Sequence, residues 1–62
     1  MNGFERRKAL KMSNILGAAL DLFMKYGIHK VSMAEIAEKA NVSQVTIYNY
    51  FESKDNLVRE VI

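Results

Sequence analysis

The tightest constraint on this chain lies at residues 31–51, where two helix starts follow each other so closely that only short helices fit. Ser32 and Glu35 have the spacing of a capping box, in which each side chain reaches the other's backbone N–H. Val31 and Ile36 have the spacing of a hydrophobic staple around the same helix start. Met33, Ile36, Ala37 and Ala40 then share one helical face. Asn41 is among the few non-glycine residues that accept the left-handed conformation, so the helix is expected to stop there. Ser43 suits the N-cap of the next helix, and Val42 with Ile47 repeats the staple spacing. Two helices of about eight residues joined by a three-residue turn form the helix-turn-helix arrangement, whose second helix enters the DNA major groove. Ala37 is small where that second helix must cross closely.

The flanks read as two more helices. Apolar residues at 12, 15, 16, 19, 20, 22, 23 and 26 predict a helix from about Met12 to Tyr26, with Phe23 and Tyr26 in the core. Gly27 follows where a C-terminal cap favours positive φ. Gly17 costs that helix ~1 kcal/mol relative to Ala. Two readings stand for it: close crossing by another helix, or simple tolerance. After a short connection at 28–31 and the two central helices, Glu52 breaks the apolar pattern. Ser53 is the next N-cap, leading into Leu57, Val58, Val61 and Ile62. That last helix is still apolar and uncapped at Ile62, so the chain is expected to be a piece of a longer protein. The fold class predicted is all-α.

Composition excludes several functions. With 62 residues, no Cys and one His, there is no disulfide, no thiolate metal site and too few imidazoles for a metal centre. No metal, no cofactor and no enzyme activity are expected, because so short a chain has little room for a shielded pocket. His29 is expected in an exposed loop, and Met12, Met24 and Met33 in packing roles. No stretch approaches the ~20 apolar residues of a membrane span, and the amino end lacks the pattern of a signal peptide. A cytoplasmic location is expected.

The net charge of +2 is unevenly placed. Residues 1–30 carry Arg6, Arg7, Lys8, Lys11, Lys25 and Lys30 against Glu5 and Asp21, a net of +4. Residues 31–62 carry Lys39, Lys54 and Arg59 against Glu35, Glu38, Glu52, Asp55 and Glu60, a net of −2. Residues 1–11 therefore read as a basic N-terminal arm. Either it contacts a polyanion, with Arg6, Arg7, Lys8 and Lys11 reaching phosphate or a minor groove and Arg7 and Lys11 as the leading phosphate candidates, or it is an ordinary solvated tail.

The third helix carries the recognition chemistry. At about 100° per residue, Ile47 and Phe51 set its buried side. Val45, Thr46 and Asn49 then point away, with Tyr48 and Tyr50 on the flanks. Gln44 lies in the first turn, the end that meets base edges in this motif. Gln pairs bidentately with adenine, and Val45 and the Thr46 methyl suit a thymine methyl. Thr46 and Tyr48 offer hydroxyls to phosphate. No charged side chain occurs from Asn41 to Phe51, so affinity is expected from phosphate contacts outside this helix. The helix starts at Ser32, Met33 and Ser43 are further phosphate candidates. Lys54 sits in the first turn of the fourth helix, where the dipole disfavours a cation by a few tenths of a kcal/mol. It is either a solvated lysine or one with an anionic partner.

These residues resemble a known family. Thr46-Ile47-Tyr48 with Tyr50-Phe51 and Ser53-Lys54 is the most specific part of the match. Ile15 to Phe23, Gly27, the run from Ser32 to Ala37 and the run from Asn41 to Val45 also belong to it. Together they are similar to the amino-terminal domain of the tetracycline-repressor (TetR) family of bacterial transcription regulators. Asn41 stands where Gly is commonest in the family, and Val45 where a small residue is usual. The resemblance implies a three-helix, homeodomain-like bundle over 12–62, with the helix-turn-helix at about 32–51 and the start of a fourth helix. It implies phosphate contacts by Tyr48 and Lys54, and base contacts by Gln44, Val45, Thr46 and Tyr50; Asn49 joins these from its outward position. It implies a sequence-specific DNA-binding head of a ligand-responsive repressor acting on a palindromic operator. Dimerisation and binding of a small-molecule inducer belong to a carboxy-terminal domain absent from this chain. The rival reading is a helical protein-interaction module or a basic membrane-surface segment without DNA specificity.

Overall fold

The computed structural model describes residues 3–62, with side chains from Arg6 onward. The start of the expected arm, Met1 and Asn2, lies outside the described residues. Helix α1 runs Gly3–Tyr26, α2 Met33–Ala40, α3 Gln44–Phe51 and α4 Lys54–Val61, with a 3₁₀ turn at Ile28–Lys30. All the regular structure among the described residues is helical, as expected.

Helix α1 begins well before Met12, so the helix expected from about Met12 extends into the residues read as a basic arm. Residues 6–11 are exposed, so they show no apolar periodicity. They are nevertheless rich in Ala, Leu, Arg and Lys, all strong helix formers. The 24 residues of α1 span about 36 Å at 1.5 Å per residue. That matches the longest dimension of the domain, 37 Å. At its other end Gly27 takes φ 93° and donates its N–H to the Phe23 carbonyl at 2.8 Å.

The local signals of the two central helices are realised as hydrogen bonds. The Ser32 hydroxyl accepts from the Glu35 N–H at 3.2 Å, and Glu35 Oε1 accepts from the Ser32 N–H at 3.2 Å. Asn41 is left-handed at φ 59°, ψ 45°. Its N–H bonds the Glu38 carbonyl at 3.2 Å, and the Val42 N–H bonds Ala37 at 3.0 Å. This pair of bonds is a Schellman motif, which satisfies carbonyls that a helix end leaves open. Ser43 and Ser53 cap α3 and α4 by accepting from the N–H groups of Thr46 and Asn56, each at 3.1 Å.

The core draws on every helix. Ile15, Ala18, Ala19 and Phe23 of α1 meet Val31, then Met33, Ile36, Ala37 and Ala40 of α2, Ile47 and Phe51 of α3, and Leu57 of α4. Helix α1 packs on α2 and α4, and α3 packs on the same two helices. Asn14 adds a polar tie that local pattern does not reveal: its Nδ2 donates to the Ala40 carbonyl at 2.9 Å. It thereby fixes α1 to the end of α2, beside the helix-turn-helix turn.

Three apolar expectations change. Tyr26 is half exposed, not core, and stands beside Lys25, whose Nζ lies 5.2 Å from its ring centroid. Leu20 is also exposed, on the side of α1 away from the bundle. A Cβ at Gly17 would meet nothing within 4 Å, so of its two readings simple tolerance stands and close crossing does not.

Candidate nucleic-acid interface

The exposed face of α3 is built by the residues that anchor its opposite side. Ile47 is fully buried and Phe51 nearly so. Their spacing turns Val45, Tyr48 and Asn49 outward. Val45 is 67% exposed and Tyr48 44% exposed, high values for apolar and aromatic side chains on so small a domain. Gln44 and Asn49 are exposed beside them. Helix α3 has no acidic residue in its first turn and no basic residue in its last. The result is an uncharged strip of amide, hydroxyl and methyl groups, the groups that read base edges.

Thr46 is half-buried, and its hydroxyl lies 2.9 Å from that of Ser43. The bond ties both hydroxyls to the cap and turns the Thr46 methyl elsewhere. Tyr50 departs from the other base-contact candidates. It is half-buried, packs against the core, and lines a hollow with Met12, Asn56 and Arg59. Like Thr46 it is less exposed than Gln44, Val45 and Asn49.

The phosphate candidates divide as well. Tyr48 and Ser43 are exposed at α3, and Lys54 is half-buried at the first position of α4. The Met33 side chain is buried at 6% exposure. Its backbone N–H is the group that faces an anion at the start of α2. Ser32 is engaged on both of its groups: the hydroxyl also bonds Glu35 Oε1 at 3.2 Å. A carboxylate therefore already occupies the positive end of α2, and a phosphate arriving there meets a like charge.

Arg7 and Lys11 lie exposed on the first turns of α1. Lys8 and Lys11 fall on the helical line of Ile15, Ala18 and Leu22, which face the core or pack against it. Their side chains thus leave α1 on the side where the bundle lies, beyond Asn14 and its tie to the end of α2. Lys8 belongs to the basic arm read from sequence, beside Arg6, Arg7 and Lys11. Its three-residue spacing to Lys11, and that of Lys11 to Ile15 four residues on, places it on this side once α1 is continuous from Gly3.

The family model described as "Bacterial regulatory proteins, tetR family" matches residues 15–61. The chain is 40% identical over 57 residues to the HTH-type transcriptional regulator RutR of Escherichia coli, covering 92% of this chain and 27% of that protein. It is 46% identical over 48 residues to the uncharacterized HTH-type transcriptional regulator YvkB of Bacillus subtilis, covering 77% of this chain and 25% of that protein. Against the HTH-type transcriptional regulator LuxR of Vibrio harveyi it is 38% identical over 52 residues, covering 84% and 25%. The chain spans about a quarter of the length of these relatives. No solved structure matches it significantly.

Proposed function

Because the chain belongs to the tetR family of bacterial regulatory proteins, we propose that it is the sequence-reading head of a transcriptional regulator that binds double-stranded DNA. The uncharged, exposed strip of Gln44, Val45, Tyr48 and Asn49 on a doubly capped helix supports this reading most strongly. Gln44 and Val45 read base edges, with the Thr46 methyl and Asn49 beside them. Tyr48, Ser43, Lys54, Arg7, Lys8 and Lys11 hold phosphates. Bases and phosphates are thus assigned to different residues, the usual division of labour in such interfaces. The helix starts at Ser32 and Met33, and Tyr50, take minor parts.

The whole regulator acts as a homodimer through residues beyond this head, on a palindromic operator with half-sites about one helical turn apart or a multiple of it. A small molecule bound by those other residues changes the spacing of the two heads, and repression is relieved. The chain itself catalyses nothing in this scheme and works in the cytoplasm, where the operator lies. Among the described residues no helix is long and apolar enough to cross a membrane. The capped helices, tight turn and hydroxyl-bearing face of α3 favour DNA over a lipid surface.

The experiment is selection of bound duplexes from a random library, followed by titration of the enriched duplex at low and moderate salt. Enrichment of one motif, with affinity falling steeply as salt rises, is the expected result. Binding that ignores both sequence and salt would remove the reading.

A further inference from the structure

Three described residues adopt positive φ: Gly27 at 93°, Asn41 at 59° and Glu52 at 71°. Glycine and asparagine accept that region readily, whereas glutamate does not. Glu52 is the joint between α3 and α4. Its ψ of −42°, with the Ser53 N–H bonded to the Phe51 carbonyl at 2.8 Å, makes it the centre of a γ-turn of the rare, strained kind.

The surrounding structure imposes this conformation. The Glu52 N–H bonds the Tyr48 carbonyl at 2.8 Å, closing α3. One residue later the Ser53 hydroxyl caps α4. Phe51 before the joint and Leu57 after it are both buried. The chain thus has two residues, Glu52 and Ser53, in which to pass between two anchored helices. Strain of this kind persists only where neighbours over-determine it, and it gathers at functional sites. Here the joint separates the helix that presents Tyr48 and Asn49 from the helix that opens with Lys54.

We propose that Glu52 is a positioning residue for DNA binding: its strained γ-turn holds Lys54 in fixed register with the exposed face of α3, so that phosphate and base contacts form together. The proposal rests on the DNA-binding reading above. Glycine at this position would carry the same turn without strain, but it also populates other conformations, so the register would loosen.

The test is a double-mutant cycle on the 62-residue chain, titrated against the duplex that the wild type enriches. Glu52→Gly is expected to melt at or above the wild-type temperature, yet bind more weakly by on the order of fivefold. In that background Lys54→Ala should cost less than it does alone, because a loosened joint no longer presents the lysine. Glu52→Gln keeps the backbone preference and removes a negative charge, so it should tighten binding. A lower melting temperature for Glu52→Gly overturns the proposal by showing that no strain was relieved. Unchanged affinity for Glu52→Gly, additive losses in the cycle, or weakened binding by Glu52→Gln would also overturn it, while wild-type binding left the DNA reading intact. Absence of any duplex binding by the wild type would overturn both.

Discussion

Single side chains in this domain act at two distances. The cap serines act locally, each satisfying a backbone N–H three residues ahead. Asn14 acts across the fold, from α1 to the last carbonyl of α2. Removing a hydrogen-bond partner of this kind costs about 1 kcal/mol. Asn14→Ala is therefore expected to lower stability in urea by about that amount, without touching the α3 face. A midpoint equal to wild type would mean that water replaces the bond at no cost. On the face itself, Gln44 and Tyr48 should separate by kind of contact. Gln44→Ala should change which base is preferred at one position of the enriched duplex, by about 1–3 kcal/mol. Tyr48→Phe and Lys54→Ala should weaken all duplexes alike. Equal effects of all three on every sequence would refute the division between reading and holding.

At the scale of helices, α1 differs most from its sequence pattern. Gly17 lies exposed within it, with empty space where a Cβ would go. Gly17→Ala is therefore expected to stabilise the domain by about 1 kcal/mol, seen as a higher melting temperature. A lower one would point to an unseen neighbour. The overhanging first turns carry Lys8 and Lys11 on the bundle's side of the helix. If each meets one phosphate, changing both to Ala should make the slope of log affinity against log salt shallower by about 2. An unchanged slope would return these residues to the role of a solvated helix end. The ends of α2 and α3 were legible in sequence because capping is short-range chemistry: Ser32, Glu35, Asn41, Ser43 and Ser53 act within a few residues of themselves. The start of α1 was not, because exposed helix leaves no apolar rhythm.

Over the whole molecule, one small core is shared by four helices, and the exposed large apolar residues of the described chain are scattered over α1, α3 and Ile62. Leu10, Leu20 and Met24 are exposed along the far side of α1, but Ser13 and Gly17 interrupt them. The 62-residue chain is therefore expected to sediment as a monomer. A tight dimer would place the pairing of heads within this domain and not in the rest of the regulator.

Sequence alone determined the helix-turn-helix: its caps, its turn at Asn41, the buried pair Ile47 and Phe51, and with them the outward set on α3. Each follows from helix period or from hydrogen bonds between near neighbours, which need no knowledge of the rest of the chain. Only the tertiary structure decided that Tyr26 faces water, that Tyr50 turns toward Met12 and α4, that Asn14 ties α1 to α2, and that Glu52 takes positive φ. Those outcomes depend on where four helices meet. A side chain or a dihedral angle at a junction answers to distant anchors such as Leu57 more than to its own residue type.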